Sequence, residues 1–444
     1  MNFPFGKAPF FILLVALAAG VGVFFSHRNY GQNRPTLVML TAARLHSDIY
    51  LNKLPEFEQR HNVKVDVQVM DQFALRTRLQ AAFATGGEVP DVVEMPQYAS
   101  YFLRGPTKDV GLLDLTDWVA ENKLQERMVA SRFSMWQRRG VVFGLPHDVH
   151  PTMLAYRADI VEDELKIDVS KIKTWDDFVA MARPIVTSNH FALELSNSGS
   201  HWLYMLLLQR GVGLFNAEGE VTFDADATTD VVVWYLQQLH GPKPIAYDLG
   251  VSQPLWRGMR DGVVLFYFTP DWRTRSITQY APDLKGKMKL MPLPAWTPGG
   301  RRTSTWGATG IGVTKKSRNP ELAKKLLEFL YIEQTDRGKS WMDLHILPPV
   351  IEAWKQPIFD TPFPFYSGQP IMRMYADLAA DVPPAYASPY TPRAEDKLNE
   401  AFLNCSAYYK ANGEQGLRDF VRAEFKRQAD DVRAIIRRNV LMQQ

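Results

Sequence analysis

The sequence predicts an α/β protein built as two lobes, and three observations carry that prediction. Strand-like and helix-like segments alternate from Thr36 onward, the order that builds parallel strands with helices on the sheet faces. The chain has 444 residues, more than one core comfortably organises, so two lobes of roughly 150–220 residues are the default. Apolar, strand-like runs also end in ionisable or aromatic residues, as at the mouth of a ligand crevice.

The elements follow in order. Lys7, the uncharged stretch from Ala8 to Phe25 and the polar Ser26-His27-Arg28 form the sequence of an export signal. The apolar stretch is near the ~18 residues that could span a bilayer. It has no small-x-small cleavage site behind it, so residues 1–28 read either as a signal peptide or as a retained membrane anchor. Thr36–Leu40 reads as a strand. His46–His61 reads as a helix with Ile49, Leu54 and Phe57 inward, bent or split by Pro55. Val63–Val69 alternates as a half-exposed strand should. Phe73–Ala84 is a helix ended by Gly86-Gly87, and Asp91–Met95 is the next strand. Val141-Val142-Phe143 and Met153–Tyr156 read as buried strands on either side of Gly144-Leu145-Pro146-His147-Asp148-Val149-His150. That run suits a polar surface loop or a ligand crevice. Thr174 and Asp177 have capping-box spacing. Asn319-Pro320-Glu321 places an N-cap, a first-turn proline and a favourable carboxylate ahead of Leu322–Leu330. Leu417 to Ile435 keeps helical spacing, and the proline-rich stretches 292–298 and 383–392 read as ordered surface connections.

Composition excludes several functions. A formal charge of +3, with no basic run interleaved with aromatics, gives no footprint for nucleic acid. Cys405 is the sole cysteine, so an exported chain has no internal disulfide and depends on its core. No Gly-x-Ser-x-Gly elbow is present. Gly310–Ser317 ends like a phosphate loop but carries Lys315 where that loop needs glycine. His147 and His150 resemble two metal ligands without a cluster to complete the set. No cofactor and no metal are expected.

Aromatics beside turn residues are the stronger lead. Trp272 follows Asp271 at the end of the apolar run Val263–Phe268, Trp306 stands before Gly307 and a glycine-rich strand, and His201-Trp202 opens the segment Leu203–Leu208. Each tryptophan alone suits a core. Together, at strand–loop junctions, they suit the apolar faces of sugar rings, with polar neighbours for the hydroxyls.

These residues fall in a recognisable order: Leu79–Val92, Gly111–Thr116, Gly144-Leu145-Pro146 leading to Tyr156-Arg157-Ala158-Asp159, Thr174–Phe178, Asp261-Gly262 leading to Trp272, and Gly307–Leu330. In that order and spacing the chain resembles the family 1 extracellular solute-binding proteins of ABC importers, collinearly from about Leu37 to about Arg437. The resemblance implies a two-lobed periplasmic-binding-protein fold of type II, with a hinge crossed several times and the ligand in the cleft. Lobe 1 would comprise 36–149 and 303–348, and lobe 2 would comprise 151–298 and 350–440. Hinge crossings would lie near His150-Pro151, Pro298–Thr303 and Pro348-Pro349. It further implies a monomeric, non-enzymatic sugar receptor at the periplasmic or extracytoplasmic face of the membrane, with ABC importer permease subunits as partners.

Carried over residue by residue, the resemblance nominates Met95, Gln97 and Tyr98 after the third strand and Arg44 in the first strand-to-helix turn. His150 stands where the family often has an acidic residue, with Asp148 close by. Asp271 precedes Trp272, the counterpart of the main stacking tryptophan. Trp306 and Gly307 would touch the ligand from one lobe, and His201 and Trp202 from the other. Hydroxyls would be held by Asp148, His150, Gln97 and Asp271. Arg44, Arg273 and Arg275 keep an anionic sugar in play, although stacking residues outnumber convergent arginines and favour a neutral oligosaccharide. Two alternatives are a secreted carbohydrate-active enzyme using Asp148 and Asp271, and a membrane-tethered sugar sensor.

Overall fold

The structure is a computed structural model that describes residues 36–96, 102–103, 106–187, 190–333 and 343–439. Its strands are β1 (Leu37–Thr41), β2 (Val65–Val69), β3 (Val92–Pro96), β4 (Gln137–Arg138), β5 (Val141–Val142), β6 (Leu145–Pro146), β7 (Thr152–Arg157), β8 (Phe191–Glu194), β9 (Ala246–Tyr247), β10 (Val264–Pro270), β11 (Met288–Pro292) and β12 (Thr309–Val313). They form two five-stranded sheets, ordered β2-β1-β3-β12-β6 and β11-β7-β10-β8-β9, with β4 and β5 as a separate hairpin. Each sheet is the centre of one lobe.

The expectation of parallel sheets needs correction. β1 runs parallel to β2 and β3, but β12 is antiparallel to both β3 and β6. In the second sheet β8 is parallel to β9 and β10, whereas β7 is antiparallel to β10 and β11. The cause is the path of the chain. β7 and β12 begin just after the chain has passed between lobes, so no βαβ crossover fixes them parallel. Val141-Val142 likewise lies in the small hairpin, and the adjacent strand of the main sheet is β6. That strand tolerates Pro146 because it is an edge.

Side-chain alternation divides each lobe into two cores. On β7, Leu154 and Tyr156 enter one core while Met153 and Ala155 enter the other. All seven residues of β10 are buried, as a strand covered on both faces requires. On β3, Val92 and Glu94 face α1 (Arg44–His61), while Val93 and Met95 face the opposite layer. α1 is one helix that runs through Pro55 rather than splitting there.

The helix ends show their local chemistry. α2 (Gln72–Thr85) starts at Asp71, whose carboxylate accepts from the amides of Phe73 and Ala74, and ends at Gly86 with φ 77°. α3 (Trp175–Ala182) carries the expected capping box between Thr174 and Asp177. α4 (His201–Gln209), α5 (Asp226–His240) and α6 (Asp271–Tyr280) cover the second sheet. α7 (Pro320–Glu328) begins without a side-chain cap, because Asn319 Nδ2 donates instead to the Thr36 carbonyl at 3.2 Å. α8 (Thr391–Asn412) and α9 (Leu417–Arg438) form a hairpin against α5, with Cys405 buried between them. Among the described residues no helix is long and apolar enough to cross a membrane. Residues 1–28 lie outside the described residues.

Close approach fixes one glycine. A Cβ at Gly310 would sit 2.1 Å from the indole of Trp136, which is itself buried. Gly310→Ala is expected to destabilise the chain by roughly 1–3 kcal/mol, read as a lower urea midpoint with an unchanged m-value.

Candidate functional site

Four aromatic rings meet where the second sheet approaches the crossing segments. Trp272 is thrown out by the turn from β10 into α6, and His201 and Trp202 open α4. Trp306 arrives on the crossing that leads to β12. Its ring centroid lies 5.0 Å from Trp272, 4.4 Å from Trp202 and 5.8 Å from His201. Trp272 Nε1 donates to the Trp306 carbonyl at 3.2 Å. Trp306 is therefore the centre of the wall.

A cavity lies on each side of it. One, of about 350 Å³, is lined by Trp306, Gly307, His201, Tyr204, Tyr386 and Glu395 among others. It spans the lobes, since Met135 from the first lobe faces α4 and α8 across it. Backbone amides of Ala385 and Ala387 donate to Ser134 Oγ and the Ser134 carbonyl beside it. The other, of about 330 Å³, opens at the C-terminal ends of β8, β9 and β10 and is lined by Trp272, Trp306, Trp202, Glu194, Asp248 and Arg273 among others. Apolar ring faces flanked by a few polar groups are the usual make-up of a small-molecule site.

Electrostatics in the wall are settled internally. Arg273 is buried and holds Glu194 through two bonds, at 2.8 and 2.9 Å, while its guanidinium lies 5.3 Å from the Trp202 ring and 5.8 Å from Trp306. Such a bidentate pair satisfies both partners. Arg275 donates to the Asp343 carbonyl. Desolvation, then the nearby Arg273 charge, pushes His201 down to about 4, so it presents a neutral imidazole. Partial desolvation against the cavity wall, then Asp396, pushes Glu395 up to about 7, although the side chain still reaches solvent.

The hinge beneath the wall contains a second polar system. The first and second crossings pair as a short antiparallel bridge at Pro151 and Thr305, and Thr303 Oγ1 exchanges bonds with Thr152. The third crossing meets the first lobe at Met128 and Val350. Arg132, 1% exposed, donates to the carbonyls of Asp148 and Gly307 and to Thr305 Oγ1, joining the first two crossings. His150 lies between Asp271 and Asp148, 2.6 Å from Oδ1 of the former and 3.0 Å from Oδ2 of the latter. The contact to Asp148 is an ion pair without linear hydrogen-bond geometry. Against the burial that would raise it, the charge of His150 and then the polar contact of the His147 ring keep Asp148 well below the usual carboxylate range.

A further cluster joins the hinge to the first lobe. Glu94 accepts from Thr41, His46 and Tyr50, and Tyr50 also bonds Tyr331. His46, then His147, holds Glu94 down at about 2. One ligand atom from each of His46, Glu94 and His147 lies within 4.8 Å of the others, so the structure pairs His147 with His46 rather than with His150. The two rings stack 4.1 Å apart at 20°. Their in-plane lone pairs run nearly parallel and do not converge within the ~2 Å of a metal–nitrogen bond. The arrangement is a hydrogen-bonded carboxylate–imidazole cluster.

The sequence-nominated residues therefore separate into three groups. His201, Trp202, Asp271, Trp272, Trp306 and Gly307 are brought together at the wall, but Asp271 is fully buried beneath it. Asp148 and His150 are buried in the hinge, and none of Asp148, His150 and Asp271 lines either cavity. Met95 is buried in the first lobe's second core, on the strand face opposite Glu94, and Arg44 is exposed at the start of α1, lining neither cavity. Gln97 and Tyr98 lie outside the described residues. Tyr204, Tyr386, Glu395, Glu194, Asp248 and Arg132 were not nominated. Tyr386 within the proline-rich stretch 383–392 was the available signal, since binding residues fall disproportionately on connecting loops.

The family described as bacterial extracellular solute-binding protein matches residues 45–335. The chain is 27% identical to an arabinooligosaccharide-binding protein of Halalkalibacterium halodurans, over 83% of this chain and 84% of that one. It is 26% identical to an arabinooligosaccharide-binding protein of Bacillus subtilis, over 89% and 93%. The sugar-binding protein MalE of Xanthomonas citri superposes with a TM-score of 0.74 at 18% identity, covering 92% of this chain and 99% of that one.

Proposed function

The chain belongs to the bacterial extracellular solute-binding proteins, and from that premise we propose that it captures a neutral oligosaccharide between two lobes and delivers it to an ABC importer. It acts outside the cytoplasm, as a monomer, and leaves the sugar's covalent bonds unchanged. The lobes comprise 36–149 with 303–348, and 151–298 with 350–440. The observation that carries the reading is the aromatic wall centred on Trp306, with a cavity on each side. Sugar rings stack on indole faces, and Ser200, Tyr204, Tyr386, Asp248 and Ser276 offer groups for hydroxyls around them.

Two facts favour a neutral, uncleaved ligand. Arg273 is already paired with Glu194, so an anionic sugar would have to displace a buried bidentate carboxylate. Asp148 and Asp271 grip one imidazole and line neither cavity, so they do not flank a glycosidic bond as a hydrolase pair must. The two curated relatives, both named for arabinooligosaccharides, direct the first ligands to try. Capture closes the lobes, because a ligand touching both shifts the population toward the closed form.

A thermal-shift panel of arabino-, galacto- and malto-oligosaccharides, with sugar phosphates as controls, tests this. A true ligand at about 100 times its Kd adds roughly 2.7 kcal/mol. A shift with sugar phosphates alone, or with none of the panel, overturns the reading. The Glu395 carboxyl offers a second check, because it changes charge near neutrality within the interlobe cavity. A carboxylate accepts a hydroxyl more strongly than a neutral acid does. Affinity by titration calorimetry is expected to rise between about pH 6 and about pH 8, and Glu395→Gln to flatten that rise.

A further inference from the structure

His150 stands where the chain first leaves one lobe for the other, in the left-handed backbone region at φ 53°. Residues with a Cβ rarely adopt that conformation unless their surroundings hold them in it. Here two carboxylates do so. Asp271, at the start of α6 in the second lobe, also accepts from the amide of Leu347 on the third crossing at 2.6 Å. Asp148, just behind β6 in the first lobe, also accepts from the amide of Thr309 on β12 at 3.1 Å. One buried ring thus connects a carboxylate from each lobe.

We propose that protonated His150 is a clamp across the hinge, its imidazolium holding Asp148 of the first lobe against Asp271 of the second and so setting the interlobe angle. The proposal concerns how the cleft described above opens and closes, and rests on that reading of the cleft. Ring chemistry supports it directly. Both nitrogens face carboxylate oxygens, at 2.6 and 3.0 Å, so a neutral ring would set a lone pair against one of them, whereas the imidazolium bonds Asp271 and pairs its charge with Asp148. Arg132 lies 3.7 Å from Asp148, and His147 3.5 Å from the same carboxylate, with Glu94 beyond His147. Against burial, Asp148 and then Asp271 hold His150 up at about 10. The proton therefore stays bound through the neutral range, and the clamp is constitutive.

The clamp also touches the ligand wall. Asp271 directly precedes Trp272, whose amide donates to Asp271 Oδ1 at 2.8 Å. A Cβ at Gly307 would lie 3.5 Å from the His150 ring and 3.6 Å from Trp272 Nε1. A ligand seated on Trp272 and Trp306 thus presses on the residues that frame the clamp.

Two ligand-free measurements test it. Selective ¹³C labelling of the histidine rings is expected to show an imidazolium signal at about pH 8.5 that His150→Gln removes; its absence overturns the proposal. Spin labels at Glu88→Cys and Asp283→Cys, both exposed and one on each lobe, report the interlobe distance. His150→Gln is expected to shift or broaden that distribution, and an unchanged distribution overturns the clamp. If His150→Gln does not fold, the triple variant Asp148→Asn, His150→Gln, Asp271→Asn removes the imidazolium and both of its carboxylates together, leaving Arg132 on its carbonyl and Thr305 acceptors, and is read in the same way. Failure of the saccharide reading shows separately, as no response of the wild-type chain to the sugar panel while both clamp signals persist.

Discussion

Trp306→Ala is expected to weaken oligosaccharide binding by about 25-fold or more, measured by titration calorimetry with the ligand found by thermal shift. Trp306 borders both cavities and touches Trp202, His201 and Trp272. Truncating a central aromatic anchor of this kind costs about 2 kcal/mol or more, and each 1.4 kcal/mol is tenfold in affinity. Its ring is only partly buried, so most of the loss should appear in binding. Retained affinity would place the ligand elsewhere.

Arg132→Met is expected to lower the stability of the hinge by about 3–5 kcal/mol, the range found when a buried charge loses its partner. The substitution keeps most of the side-chain volume but removes every donor. Three acceptors then lose their bond, and Asp148 loses the guanidinium 3.7 Å away. For lobes of this size that corresponds to a fall of roughly 10 °C in Tm, read by calorimetry. A fall below about 2 °C would show that the backbone pairing of the crossings suffices without the arginine.

Much of the architecture was legible because it is local. Short apolar runs marked β1 and β10, strict alternation marked β2, period-3.6 spacing marked α1 and α9, and Thr174 with Asp177 marked a helix start, since each signal acts over a few residues. Strand direction was not legible. Nothing within Thr309–Val313 tells whether that strand runs with or against β3; its approach from the other lobe decides this. The aromatic half of the site was visible as tryptophans at strand ends, whereas Tyr204 comes from a helix that the pattern assigns to packing and Glu395 from an exposed helix position that reads as a solvated charge.

The polar residues show the division most clearly. By itself the sequence determined that His147, Asp148 and His150 follow a buried apolar segment and that Asp271 precedes a tryptophan after a buried strand. Only the tertiary structure decided that Asp148 and Asp271 meet on one imidazole, that His147 stacks on His46, and that Arg273 is neutralised by Glu194. The physical reason is range. Hydrophobic periodicity is written along the chain, but a buried charge takes its partner from whichever element folds beside it, here 121 residues away for His150 and Asp271.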